Sequence, residues 1–358
     1  MTIDIIIPVY NRPAEIEAIF GSLARQSDMG FGVVVVEDGS SRDCAAEVER
    51  FRDRLNISYL RKENGGPAAA RNFGTAHSKA DFYVFFDSDV IVPPGYIATV
   101  RKALEGGMEF YGGPDMADPA FSAMERAVSY AMTSPFTTGG IRGGRRAMEH
   151  FTPRSFNMGI ARRLFEAVGG FSADMRYGED IDLSLRVAKA VEAERTNRAK
   201  ADAAAAGMGD GTTGARGTHK TSGQGAATEV VGTHKTGALL REAGVYHRRR
   251  TGMRAFFRQV RHSGAARVDL ARRHPGSLKA VHLLPMLFVF ACIACVTLAL
   301  VGGWYFIVPV AAVCLVWFVD SSLRNRNVWV GLLSVVTSMV QLWGYGTGML
   351  VRLLSAPR

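Results

Sequence analysis

The sequence predicts an α/β domain built on a parallel sheet, followed by helices that cross a membrane. Three observations carry this reading. Continuous β-branched runs alternate with helical patterns over 3–87, those runs end in polar and acidic residues, and 281–319 is an almost uncharged apolar stretch. Continuous apolar runs mark strands buried on both faces. Their alternation with helices implies crossovers within one sheet.

IDIIIPVY (3–10) is the first strand and FGVVVVED (31–38) the second; NISYL (56–60) and DFYVFFD (81–87) follow the same rhythm. Between them 13–25, 42–54 and 67–78 read as helices, the first and third opening on Pro13 and Pro67, where proline suits the first turn. In such sheets ligands bind outside the carboxyl ends of the strands. Those ends carry Asn11, Glu37-Asp38 and Asp87-Ser88-Asp89. Asp87 and Asp89 offer the carboxylate oxygens that hard divalent cations take, alongside a diphosphate. Asn64-Gly65-Gly66-Pro67 leads into a helix that holds Arg71, and a Gly-rich turn lets backbone N–H groups approach a phosphate; a plain helix start reads equally well. Asp38-Gly39-Ser40 suits either a nucleoside contact or a helix cap. Glu179-Asp180 opens an amphipathic pattern, which suits either the positive end of a helix or a general base that deprotonates a hydroxyl. His247 is either structural or a third ligand for a metal such as Mn²⁺. Residues 190–236 are rich in Ala, Gly and Thr, repeat GTHKT at 217–221 and 232–236, and read as a flexible low-complexity insertion.

Charge is spread unevenly. The 358 residues carry a formal net charge of +10, yet 1–240 has a net charge of −2, 241–275 of +8 and 276–358 of +4. A basic stripe can bind nucleic acid. One that abuts apolar runs suits an anionic bilayer instead, so membrane lipids and not nucleic acid are the expected partners. A span needs about 20 apolar residues. The stretch 281–319 holds two, broken at Gly302-Gly303, the second short unless it tilts or borrows flanking residues. A third stretch, 328–350, is interrupted by Gln341, Gly344, Gly346 and Gly348 and reads as a span or as a helix packed against the other two. MTIDIIIPVY lacks a basic start and a cleavage region, so no signal peptide is expected. Arg272, Arg273 and Lys279 before the first span, with Arg324 and Arg326 after the second, lead to the expectation that residues 1–280 lie on the cytoplasmic side. Four Cys in this length are no disulfide framework, and Cys292, Cys295 and Cys314 sit in apolar runs as small hydrophobic residues.

In chain order, IIIPVYNRP, VVVEDGS, ENGGPAAARNFG, FFDSDV, FNMGIAR, GEDIDLSLR and VYHRRR resemble the family 2 glycosyltransferases of the GT-A fold, a Rossmann-like architecture. The resemblance covers about 1–190 and resumes over about 238–280. It implies inverting transfer of a sugar from a nucleotide-diphosphate sugar to a hydroxyl acceptor, either lipid-linked or a cell-surface polysaccharide precursor, with Mg²⁺ or Mn²⁺ as cofactor. It implies that Asp38 contacts the nucleobase in a pocket lined by Pro8, Tyr10 and Asn11, with Asn64, Gly65, Arg71, Asp87 and Ser88 completing the nucleotide site. Asp87 and Asp89 would be the metal-binding acids, Asp89 the more direct ligand, with His247 completing the shell. Asn157-Met158-Gly159 would form a small loop beside the donor sugar, and Glu179-Asp180 would supply the base, Asp180 being favoured. The Q-x-x-R-W signature of processive members is met only by Gln259-Val260-Arg261-His262-Ser263, without the Trp, so a non-processive enzyme is expected. The expected organisation is a catalytic domain at 1–240, a last catalytic strand and basic interfacial region at 241–280, and a membrane region of two or three helices at 281–358. A processive synthase, a nucleotidyltransferase and a non-catalytic nucleotide-sugar-binding scaffold stand as alternatives. The second is disfavoured by Tyr10-Asn11-Arg12-Pro13, where a Gly-rich basic signature would sit.

Overall fold

The computed structural model describes residues 1–116, 121–138, 151–207, 237–247 and 252–355. β1 (Ile3–Val9), α1 (Pro13–Leu23), β2 (Phe31–Asp38), α2 (Ala45–Phe51), β3 (Ile57–Lys62), α3 (Pro67–Ala76) and β4 (Phe82–Phe86) follow one another as the apolar pattern requires. β1 is parallel to β2 and β4, and β2 to β3, in the order β3-β2-β1-β4. Side chains leave alternate faces of these strands. Ile5, Ile7, Val33, Val35, Val84 and Phe86 pack with Ile16, Ile19 and Phe20 of α1 on one side. Ile6, Val34, Val36, Tyr83 and Phe85 pack with Ala68 and Ala70 of α3 on the other. With helices on both faces neither set can be polar, which explains the unbroken apolar runs.

Beyond β4 the sheet stops being parallel. β5 (Val90–Ile91), α4 (Tyr96–Glu105), β6 (Phe110–Gly112), β7 (Asp115–Met116), α5 (Ala123–Thr133) and α6 (Pro135–Thr138) intervene before β8 (Asn157–Ala161). β8 runs antiparallel to β4 and β6. α7 (Arg162–Ala167) and α8 (Glu179–Gly207) follow, and β9 (Ala238–Leu239) lies parallel to β6 at the edge. β10 (Val245–His247) forms the centre of a second small sheet, antiparallel to β5 and parallel to β7. α8 continues through 190–207, where the composition predicts a flexible insertion. Its Ala, Glu, Lys and Arg are strong helix formers, and that propensity prevails over the low complexity of the segment. Residues 208–236, with both GTHKT copies, lie outside the described residues.

The C-terminal part consists of α9 (Met253–Arg273), α10 (Ala280–Gly302), a 3₁₀ turn (Trp304–Ile307), α11 (Val308–Asn325) and α12 (Val328–Leu354). Three stretches, Ala280–Gly302, Trp304–Asn325 and Val328–Leu354, are long and apolar enough to cross a membrane. α9 falls in the basic region expected at an anionic bilayer, yet its apolar face is packed against protein. Phe256 and Val260 are buried against Val128, Ala131 and Met132 of α5. α12 covers the same helix: a Cβ at Gly344 would strike Val260, and one at Gly264 the carbonyl of Tyr345. Small residues let helix backbones approach this closely.

Candidate active site

The carboxyl ends of β1, β2 and β4 open into a cavity of about 860 Å³, lined there by Pro8, Tyr10, Asp38, Asp87, Ser88 and Asp89. The N-terminus of α8 brings Glu179 and Asp180 to the same cavity. The strand-end carboxylates and the acidic pair, separate in sequence, thus share one space.

Asn11 shapes the exit from β1 and does not line the cavity. It adopts φ 55°, a left-handed conformation that Asn tolerates. Its N–H donates to Ser40 Oγ at 2.7 Å, and its Oδ1 accepts from Ser41 Oγ at 3.0 Å and the Arg42 N–H at 2.9 Å. Asp38 is 3% exposed and accepts from Lys62 Nζ at 2.7 Å and from the N–H groups of Gly65 and Gly66 at 2.9 and 2.8 Å. The Gly-rich turn therefore spends its two donors on Asp38 and not on a phosphate, while Asn64 Nδ2 donates to the Asp38 carbonyl at 2.8 Å. The chain must bend back on itself here: Gly39 has φ 75°, and a Cβ there would meet the Asn64 backbone at 2.6 Å.

Arg71, expected at the nucleotide, is 2% exposed and ties the site together from beneath. Its Nη2 donates to Asp87 Oδ1 at 2.6 Å and its Nη1 to Glu179 Oε1 at 3.1 Å, and the guanidinium lies 5.4 Å from the Phe171 ring centroid. Arg12 Nη1 holds Asp89 Oδ2 at 2.9 Å, and Arg154 Nη1 lies 3.3 Å from both oxygens of Asp180. Burial and the adjacent Asp180 push the Glu179 carboxyl up to about 7, against the pull of Arg71. Arg12 and Arg154 are functional candidates that motif reading passed over. Arg12 stands inside IIIPVYNRP, a usable signal, whereas Arg154 lies 26 residues before its partner with no local pattern.

Asn157, Met158 and Gly159, expected as a loop beside the donor sugar, form strand β8 inside the sheet. Asn157 and Met158 are fully buried. Asn157 Oδ1 accepts from Tyr96 Oη at 2.6 Å and its Nδ2 donates to the Ala243 carbonyl at 2.8 Å. A Cβ on Gly159 would strike Tyr111. The cavity is lined instead by residues just before them, among them Phe151, Arg154 and Phe156. Short apolar runs next to a glycine read as loop or strand alike, and pairing with β4 decides for strand.

The carboxylates of Asp87 and Asp89 form a donor set that fits a divalent cation, and Asp87 keeps 36% of its side chain exposed to the cleft. Backbone register sets His247 opposite Val90, the residue after Asp89. Its side chain lies outside the described residues, and among the described residues no three His, Cys, Asp or Glu side chains converge on one point.

The cavity continues past the acids along α9, touching Arg258, Gln259, His262 and Arg267, and reaches Leu284 and Pro285 of α10 with Gln341 and Tyr345 of α12. His262 stacks on Tyr177 with centroids 4.4 Å apart. Burial, with Arg261, Arg176 and Arg258 nearby, holds its imidazole below the usual range, hence neutral near pH 7.

Residues 4–169 match the description "Glycosyl transferase family 2". A validoxylamine A glucosyltransferase of Streptomyces hygroscopicus subsp. jinggangensis (strain 5008) is 30% identical over 214 residues, 52% of this chain and 51% of that one. An uncharacterized glycosyltransferase of Haemophilus influenzae is 28% identical over 186 residues, 52% of this chain and 61% of that one. The chain thus spans about half the length of the first of these relatives. Among solved structures, a mannosyltransferase, PcManGT, from Pyrobaculum calidifontis in complex with GDP-Man and Mn²⁺ superposes with a TM-score of 0.57 at 16% identity, covering 95% of this chain and 87% of that one. Residues 4–169 are therefore similar to glycosyl transferase family 2, the domain has the GT-A fold, and three helices apolar enough to span a membrane follow it.

Proposed function

We propose that this chain is an inverting glycosyltransferase that moves a sugar from a nucleotide-diphosphate sugar to a hydroxyl of a lipid-linked acceptor at the cytoplasmic face of a membrane. One observation carries the reading: a single cavity runs from the strand-end acids to the first apolar helix. Its outer end pairs Arg258 and Arg267 with Leu284 and Pro285, a lining suited to an acceptor with an anionic head and an apolar tail. The glucosyltransferase and mannosyltransferase named above support sugar transfer as the reaction class.

In this reading Asp38 and Tyr10 flank the nucleoside. Asp87 and Asp89, with His247 on the neighbouring strand, would hold Mg²⁺ or Mn²⁺. When bound, such an ion offsets the negative charge of the diphosphate. Asp180 accepts the proton of the acceptor hydroxyl as its oxygen attacks the anomeric carbon. The bond from that carbon to the diphosphate oxygen breaks, nucleoside diphosphate leaves, and the configuration inverts. Arg154 orients Asp180, and Arg71 holds Glu179 and Asp87 in fixed relation. The test is sugar transfer by isolated membranes from a panel of nucleotide sugars to a lipid extract. Asp180→Asn should lower turnover by roughly 10²–10⁴-fold, and Asp89→Ala should abolish it. Full activity in both variants would overturn the site assignment, and release of pyrophosphate in place of a nucleoside diphosphate would mark a nucleotidyltransferase.

A further inference from the structure

We infer that α12 does not cross the bilayer: it lies in the plane of one membrane face, between the catalytic domain and the α10–α11 hairpin, which alone traverses. The inference is independent of the reaction assigned above.

A helix that spans must carry one end across a hydrocarbon core of about 30 Å. Both ends of α12 are fastened to the catalytic side. At its start, Arg126 of α5 donates to the carbonyl of Asn325, three residues before the helix, and at its tenth residue Thr337 Oγ1 donates to the Ala127 carbonyl at 2.9 Å. At its end, Arg352 Nε donates to Asp269 Oδ1 at 2.7 Å, and Arg272 Nη2 donates to the carbonyls of Arg352 and Ser355 at 3.3 and 3.2 Å. Between these points Gly344 and Gly348 sit against Val260 and Arg261 of α9.

Neither support can itself be in hydrocarbon. α5 lies in the chain between β7 and β8 of the catalytic domain. α9 carries Arg254, Arg258, Arg261, Arg267, Asp269, Arg272 and Arg273 along its whole length, each costly at the bilayer centre. Its far end is anchored to α8, where His274 Nε2 meets Asp182 Oδ1 at 2.8 Å.

The rest of α12 has the surface such a position requires. Its buried face is small and polar, with Gly331, Ser334, Thr337, Ser338, Gln341 and Gly344; Thr337 meets α5 and Gly344 meets α9, while Gly331 and Ser334 lie against Ser322 and Ser321 of α11. The opposite face exposes Trp329, Leu332, Val336, Val351 and Leu354 in helical spacing, continuous with the bare surfaces of α10 and α11. Its occupant is the outer acyl layer of one leaflet. The share of the apolar window buried inside the protein is 44% in α12 against 11% in each of the other two stretches, which leave most of their surface bare for lipid.

Depth and sidedness test this on the full chain. Trp329 and Trp343 are 14 residues apart, about 21 Å along a helix. Single-tryptophan variants in vesicles with lipids spin-labelled at shallow or deep positions should give the two the same shallow depth. A depth difference near 20 Å would overturn the inference. So would protection of both from every quencher in a dimeric particle, which would put a second copy on this face. Because Trp317→Phe removes a hydrogen bond to the Phe136 carbonyl, sidedness provides a second measurement. In sealed vesicles of one orientation, an impermeant maleimide should reach Glu49→Cys and Ser355→Cys from the same side and Trp304→Cys from the other. Labelling of Ser355→Cys from the Trp304 side would mean that α12 spans.

Discussion

Replacing Arg71 by Met removes a guanidinium that is 2% exposed while leaving an apolar stem of similar length in the same space. Two carboxylates then lose their partner. Glu179 is 10% exposed and bears nearly the whole penalty of an unpaired buried group; Asp87, at 36%, recovers part of its loss from water. Breaking a buried pair by removing one member costs about 3–5 kcal/mol, and the exposure of Asp87 puts this case near the lower end, about 3 kcal/mol. At roughly 2–4 °C per kcal/mol for a domain of this size, the melting midpoint should fall by about 6–12 °C. The loss also depends on pH. A carboxyl raised in the fold contributes stability that is complete below its ordinary value of 4.5 and is lost as pH rises through its folded value, here about 7. Arg71 is what pulls Glu179 down, so without it the folded value climbs and the loss continues to higher pH. The deficit of Arg71→Met should therefore be smaller at pH 6 than at pH 8.5, and Glu179→Gln in the same chain should restore part of it. Thermal unfolding in detergent, followed by tryptophan fluorescence at the two pH values, measures this. A midpoint within 2 °C of wild type at both, or a deficit that shrinks as pH rises, would refute the bridging role.

Other perturbations test the supports of the site. Asp182 is fully buried; burial pushes its carboxyl up, but hydrogen bonds from Ser172, His274 and Arg186 outweigh this and hold it below the usual range. Its contribution is present above the ordinary carboxylate value and lost as pH falls through the folded one, so Asp182→Asn should cost about 2–4 kcal/mol at pH 7 and progressively less in acid-titrated melts below about pH 4. Gly178→Ala must adopt φ 83° with its Cβ 3.1 Å from Leu270 Cδ1, and should lower stability by about 1–2 kcal/mol in the same unfolding assay. Gly264→Leu pushes a side chain into the Tyr345 carbonyl and should lower stability through overpacking by about 1–3 kcal/mol. Tyr130→Phe loses the hydrogen bond to Asp320 Oδ2 at 2.8 Å and should cost about 1 kcal/mol, with no change in donor binding by titration.

What the sequence discloses here follows from the range over which each signal acts. β1, β2 and β4 are buried on both faces, so their apolar runs are unbroken and their ends visible to within a residue or two, and with them Asp38, Asp87 and Asp89. β8 is just as buried, yet its five residues carry no such length, and only pairing with Phe82–Phe86 shows that Asn157 and Gly159 are strand. The partners of the acids are invisible for another reason. Arg12 reaches Asp89 across 77 positions and Arg71 reaches Glu179 across 108, distances at which no spacing rule operates. Residues 190–207 show the converse: composition there speaks for disorder while per-residue propensity speaks for helix, and propensity prevails in the continuation of a helix already nucleated at Glu179.

The first turn of α8 joins the chemistry to the membrane part. Glu179 and Asp180 turn toward the cavity, whereas Asp182, two residues on, turns toward the end of α9 and accepts from His274 at 2.8 Å. Ile181 packs with Met175 and Leu270, so the same turn is gripped by an apolar contact from α9 beside the polar one. α9 in turn is clasped by α12, through glycines that leave no room for sliding. A shift of α12 relative to the catalytic domain thus has a direct mechanical route, through Leu270 and His274, to the two acids. Separating Asp180 from Arg154, now 3.3 Å apart, by as little as an ångström would unseat the carboxylate that Arg154 orients. On the placement inferred above, insertion of α10 and α11 in a bilayer would set the height of α12, and through α9 the position of Asp180. Removing the membrane helices should on this ground impair transfer to soluble acceptors too, where loss of anchoring alone would leave it intact.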